Sequence, residues 1–246
     1  MMWKTLSGHC IYKTSEEVRV HQNHLYRWLT FGSDALHTLI SRRHPEKPRL
    51  NYIHQLGFAA REKPGESCLL GLGGAGVAHA LAPYLKDFAL DAVENNPEII
   101  EIASRFFMTE RLTNLSVYHE DANDFVQKSS ARYQHLMIDL YDAHSFPSHC
   151  NTHDFFVHCR ELLFPKGILA LNLTNVVEQR MLFDYIRDIF FERTVSLPVK
   201  GAANMIVLAY NGSTITPLLD LLKNSGRLKK LCWNAEWGCI AGIESY

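Results

Sequence analysis

Residues 68–81 read CLLGLGGAGVAHAL, and residues 88–94, FALDAVE, follow after a short break. The apolar run at 68–71 has the length and composition of a buried strand. Gly71, Gly73 and Gly76 then fit G-x-G-x-x-G, with Gly74 inside the turn, and Val77, Ala80, Leu81 and Tyr84 recur at helical spacing beyond it. Without Cβ atoms the backbone can bend sharply and approach a ligand closely. Glu94 closes the second apolar run about 20 residues on, where a carboxylate can accept both hydroxyls of a ribose. The alternative is a tight strand-to-helix turn packed for its own sake, with Glu94 solvated.

The same alternation continues outward. Asn96 is suited to cap a helix with Pro97 at its first position and Ile100, Ala103 and Phe107 facing inward. Residues 115–119 (LSVYH), 135–140 (HLMIDL) and 167–173 (GILALNL) read as three further strands separated by helical segments. Strands alternating with helices predict an α/β fold with a mostly parallel sheet covered on both faces. Residues 194–198 and 205–210 (MIVLAY) read as a terminal pair adding an antiparallel edge strand. The run Arg227, Lys229, Lys230 reads as a solvated helix face.

The first sixty residues differ in texture. Residues 17–21 (EVRVH) and 25–31 (LYRWLTF) flank Gln22-Asn23-His24, which predicts a hairpin. Residues 50–61 have the spacing of one lead-in helix, ended by Lys63-Pro64-Gly65. This divides the chain into a small β-rich region at 1–60 and a ligand-binding domain at 61–246.

A formal net charge of −1 gives no basic surface for nucleic acid or membrane, so neither is expected as a partner. The N-terminus lacks a continuous apolar segment of the signal-peptide kind, and the six cysteines are irregularly spaced. A cytoplasmic protein with reduced thiols is expected. His149 and His153 are four residues apart, a spacing that binds zinc on a helix. However, Pro147 and the Asn151-Thr152 cap signal put His149 in a loop before the helix begins, so no metal is expected. Trp3, Trp28, Trp233, Trp237, Phe155, Phe190 and Phe191 read as core or subunit-interface residues.

Open parallel sheets bind ligands at the carboxyl ends of their strands, and Gly73, Glu94, Asp121 and Asp139 all fall at such ends. The strings LLGLGGAGVAHAL, LDAVENNPEIIEIASRFF, VYHEDANDFV, HLMIDLYDA and LFPKGILALNL resemble successive motifs of spermidine synthases and spermidine synthase-like proteins. These are aminopropyltransferases on the Rossmann-like fold of class I S-adenosylmethionine-dependent methyltransferases. The likeness is good over residues 65–175 and looser before them.

The resemblance implies that Gly71, Gly73, Gly74 and Gly76 cradle the sulfonium tail, Glu94 holds the ribose, and Asp121 with the Ala122 backbone reads adenine. It gives Asp139 and Asp142 the amine proton and the amine anchor, and puts Tyr52, with His54 and Tyr141 nearby, at the amine site. It makes residues 144–159 a loop over the substrate. The implied co-substrate is decarboxylated S-adenosylmethionine or S-adenosylmethionine, the partner a small-molecule amine, and the assembly a homodimer. Three departures from the family pattern stand out: Gly74 stands where an aspartate is usual, His54 replaces an acidic residue, and Leu140-Tyr141 replace small polar ones. Aminopropyl transfer is the leading expectation. Methyl transfer from intact S-adenosylmethionine, and a non-catalytic nucleoside-binding or dimerisation module, are the alternatives.

Overall fold

The computed structural model describes residue 5 and residues 7–15, 17–32, 36–141, 145–175 and 177–244; Trp3 and Asp142 lie outside them. Four antiparallel strands come first: β1 (His9–Lys13), β2 (Val18–Gln22), β3 (Tyr26–Phe31) and β4 (Thr38–Ser41), in that spatial order. The predicted hairpin joins β2 to β3, where the Asn23 side chain accepts from the backbone N–H groups of Leu25 (2.9 Å) and Tyr26 (2.8 Å). Val18, Val20, Leu29 and Ile40 of this sheet pack on Ile99, Ile102 and Phe107 of a later helix.

The lead-in segment is two short helices, α1 (Tyr52–Leu56) and α2 (Phe58–Glu62), broken at Gly57, where a single helix was expected. The apolar spacing runs on across the break, so periodicity alone does not reveal it. Then come β5 (Ser67–Leu70), α3 (Gly76–Leu81), β6 (Leu90–Glu94), α4 (Pro97–Phe107), β7 (Leu115–His119), α5 (Ala122–Lys128), β8 (Tyr133–Ile138), α6 (His153–Glu161), β9 (Leu163–Leu173) and α7 (Arg180–Ile189). Asn96 caps α4, accepting from Glu98 N (2.9 Å) and Ile99 N (3.4 Å), with Pro97 opening the first turn. Its buried face is Ile99, Ile102, Ala103 and Phe107, one step round from the expected Ile100. Tyr84 lies beyond α3 and is exposed, because that helix ends at Leu81.

The nine-stranded sheet closes with β10 (Thr194–Pro198), β11 (Met205–Tyr210), α8 (Thr216–Asn224), β12 (Leu228–Asn234) and β13 (Gly238–Ile243). Its order is β12-β13-β10-β11-β9-β8-β5-β6-β7, and the five strands from β9 to β7 are parallel. β11 runs antiparallel to β9 and β10, as expected, but this pair is not the edge: β13 pairs with β10 in parallel and β12 lies outermost. Lys229 and Lys230 therefore sit on an edge strand and not on a helix face. Charged side chains there discourage pairing with another sheet edge.

The chain builds β5, β6 and β7 outward in one direction, then returns to lay β8 and β9 on the other side of β5. Between β5 and β8 the winding reverses, and a crevice opens at their carboxyl ends. No helix among the described residues is long and apolar enough to cross a membrane.

Candidate active site

A cavity of about 810 Å³ occupies that crevice, a size suited to a small-molecule ligand. Gly71, Gly73, Gly76, Glu94, Asp121, Ala122, Asp139, Tyr52 and Tyr141 all line it, so the strand-end residues picked out in the sequence converge.

The glycine turn begins directly after β5. Gly71 has φ +96° and Gly73 φ +50°, left-handed conformations natural to glycine, and Ala75 shares that region at φ +56°. Glu94, ending β6, is tied to this turn: its Oε2 accepts from Leu72 N (3.2 Å) and Gly73 N (3.3 Å), and its Oε1 from Asn96 N (3.1 Å). Burial pushes the Glu94 carboxyl up, and these backbone donors oppose the rise. The carboxylate is thus oriented before any ligand arrives.

Gly74 is placed differently from expectation. It does not line the cavity, and its N–H donates to Thr38 Oγ1 (3.0 Å) on β4. A Cβ built on Gly74 would stand 2.7 Å from Thr38 Cγ2 and 2.9 Å from Thr38 Cβ. Thr38 therefore takes the space a side chain at position 74 would need.

Asp121 caps α5, with Oδ1 accepting from Asn123 N (2.9 Å) and Asp124 N (3.3 Å). Its Oδ2 meets His149 Nε2 at 2.8 Å. With the Cys150 sulfur, these groups lie within 4.8 Å of one another. Burial, then the Asp121 charge, pushes the Cys150 thiol up to about 12, which disfavours the thiolate that metals take. His149 precedes the Thr152 cap of α6 in a separate short turn, while His153 faces Asp188 (3.3 Å). The two histidines do not converge.

At the other end of the cavity stands Asp139, which follows β8. Tyr52 OH donates to its Oδ2 (2.9 Å) and Asn172 Nδ2 to its Oδ1 (2.8 Å). Burial pushes the Asp139 carboxyl up, opposed by these two donors. Burial and the neighbouring Asp139 charge drive the Tyr52 phenol far upward, so Tyr52 remains a donor. Asn204 Nδ2 in turn donates to Asn172 Oδ1 (2.9 Å). Tyr141 lies beside this group, its ring 6.1 Å from that of His37, whose imidazole burial pushes down.

His54 does not join the site. Two residues apart on α1, Tyr52 and His54 are separated by roughly 200° about the helix axis, so one faces the cavity and the other does not. Burial, with Arg61 and Arg227 nearby, pushes the His54 imidazole down to about 4. Asp142, expected as the amine anchor, lies outside the described residues.

Sequence reasoning missed Thr38, Asn172 and Asn204. Asn172 carried a signal, being a lone amide in the apolar run GILALNL of a central strand. Thr38 and Asn204 carried none.

No family model matches the chain. It is 26% identical over 218 residues to the polyamine aminopropyltransferase of Chromobacterium violaceum, covering 87% of this chain and 84% of that protein. A crystal structure of spermidine synthase in complex with the transition state analogue AdoDATO superposes with a TM-score of 0.70 at 16% identity, covering 86% of this chain and 76% of that one. Human methyltransferase-like protein 13 in complex with SAH superposes with a TM-score of 0.57 at 18% identity, over 70% of this chain and 86% of that one. Sheet order, glycine turn and these likenesses agree: the chain has the fold of spermidine synthases and is similar in sequence to polyamine aminopropyltransferases.

Proposed function

We propose that the chain transfers an aminopropyl group from decarboxylated S-adenosylmethionine to an amine of a polyamine acceptor. The observation that carries this reading is Asp139, a partly buried carboxylate held by Tyr52 and Asn172 in the same cavity as the glycine turn and Glu94. The likeness to a polyamine aminopropyltransferase over most of both chains supports it.

In this reading Glu94 binds the ribose and Asp121 the adenine edge, placing the sulfonium near the glycine turn. The acceptor nitrogen uses its lone pair to attack the methylene carbon beside sulfur. The carbon–sulfur bond breaks, and its electron pair leaves with sulfur as the neutral thioether methylthioadenosine. The nitrogen, positively charged after attack, loses a proton to Asp139. Holding both reactants in one cleft aligns them for attack. Asp142 is proposed as the anchor for the acceptor's second amine.

Methyl transfer from intact S-adenosylmethionine is a second reading, motivated by Gly74. With Thr38 filling the space beside it, no carboxylate enters from that position to repel a methionine carboxylate. The proposal includes a cytoplasmic homodimer, for which the half-exposed β1 at the edge of the N-terminal sheet is the suggested contact.

The deciding experiment incubates the chain with putrescine, spermidine or cadaverine and either decarboxylated or intact S-adenosylmethionine. Mass spectrometry follows methylthioadenosine and the extended amine. Release of both from the decarboxylated co-substrate is expected. Methylated amine with S-adenosylhomocysteine would favour the second reading, and no product from any pair would overturn both.

A further inference from the structure

Asp139 is held from two sides, and both routes lead to one loop. Residues 199–204 connect β10 to β11 and fold on themselves through Val199 N, which donates to Asn204 O (3.0 Å). On one side the Lys200 carbonyl accepts from Asn51 Nδ2 (2.9 Å), and Asn51 directly precedes Tyr52. On the other, Asn204 donates to Asn172, and Asn172 to Asp139. The ring of contacts closes on the carboxylate, whose two oxygens each take one of its donors.

A primary amide presents a carbonyl on one edge and an NH₂ of nearly the same shape on the other. Packing therefore does little to choose which edge Asn172 turns toward Asp139. The choice matters chemically. An NH₂ facing the carboxyl favours its ionised form, whereas a carbonyl facing it is satisfied only by the protonated acid. In the structure the Asn204 NH₂ is met by the Asn172 carbonyl, which leaves the Asn172 NH₂ for Asp139.

We propose that Asn204 is a positioning residue for group transfer, fixing the Asn172 amide so that Asp139 stays ready to take the proton released by the attacking amine. The inference rests on the transfer reading above, but its test observes the carboxylate directly. Tyr52 on α1 and the neutral Asn172 on β9 touch Asp139. Tyr141 and His37 are the next titratable groups along the cavity, and Glu94, Glu120, Asp121, His149 and Cys150 line its nucleoside end.

The experiment is a pH titration of the full chain carrying aspartate labelled with ¹³C at the side-chain carboxyl. The Asp139 signal is the one that Asp139→Asn removes. In Asn204→Ala that signal is expected to titrate about one pH unit higher than in the parent. The acid limb of the transfer rate should move up by the same amount, while the melting shift produced by methylthioadenosine is retained. Asn204→Asp, of equal size but only an acceptor, should move the signal further, and it serves where the alanine variant does not fold. Both variants titrating with the parent would overturn the inference. A parent that transfers no aminopropyl group overturns the transfer reading instead, a result the titration does not depend on.

Discussion

Gly71 and Asp139 lie backbone to backbone at the point where the winding of the sheet reverses. A Cβ at Gly71 would stand 2.9 Å from the Asp139 carbonyl carbon, and closer still to its oxygen. The turn proposed to hold the co-substrate thus packs against the backbone of the residue whose carboxylate is proposed to take the proton.

Gly71→Ala should accordingly damage both. Neither backbone can yield as a flexible side chain would, and φ +96° is strained for alanine. A loss of about 2–4 kcal/mol is expected, which for a chain of this size lowers the melting temperature by roughly 5–15 °C. Calorimetry checks it; a parent-like melt would show that the crevice adapts.

Glu94→Gln tests the nucleoside end. The substitution keeps shape while replacing one acceptor oxygen by an amide. Affinity for methylthioadenosine should fall about ten- to a hundredfold, corresponding to roughly 1.5–3 kcal/mol for a charge-assisted contact. Isothermal titration reads the change directly, and unchanged affinity would remove Glu94 from the site.

Asp139→Asn should separate activity from stability. Turnover should fall roughly 10²–10⁴-fold as expected for loss of a general base, with nucleoside affinity kept. Stability should move the other way. Burial raises the Asp139 carboxyl above its unfolded value, so the folded chain holds this proton more tightly than the unfolded one. That contribution is fully present below the unfolded value near 4 and is lost as pH rises through the raised folded value. The asparagine variant should therefore melt higher than the parent at pH 7.5 and no higher at pH 4. In the parent, transfer should fade as pH drops through the same raised value. A gain that is equal at both pH values would contradict the assignment.

Gly74 and Thr38 are proposed to set the preferred tail of the co-substrate together. Gly74→Asp alone should destabilise the chain, because its Cβ meets both Cβ and Cγ2 of Thr38. Adding Thr38→Gly removes both atoms and should restore folding. The double variant should then favour decarboxylated over intact S-adenosylmethionine by about 1–3 kcal/mol, since a like charge penalises the methionine carboxylate. The matching Gly74→Asn, Thr38→Gly pair supplies the bulk without the charge. Equal preference in both double variants would sink the electrostatic argument.

The parts legible in the sequence are those set by neighbours along the chain. The cap of Asn96, the turn at Gly71–Gly76 and the carboxylates at strand ends follow from local pattern and from the rule that parallel strands end on one side. What stayed hidden depends on long-range pairing. Thr38 meets Gly74 from 36 residues away and Asn204 meets Asn172 from 32, with no periodicity to announce either. Leu228 and Leu231 have helical spacing with charges between them, yet their segment becomes β12 because β13 supplies its partner. The resemblance places His54 beside Tyr52, and the turn of α1 separates them.

The parallel pairing of β10 with β13 sets an order of events during synthesis. Val195 lies opposite Cys239, and Ser196 Oγ donates to the Trp237 carbonyl (3.1 Å). From 195 to 239 the ribosome must add 44 residues before β10 gains its outer neighbour. In that interval β10 is a bare sheet edge on a nascent chain, and long-range parallel pairing forms slowly. The loop that closes the ring around Asp139, residues 199–204, follows directly from this strand. The Asp139 end of the cavity is thereby completed only after residue 239 has been made, while the end at Gly73 and Glu94, built from β5 to β7, can assemble earlier.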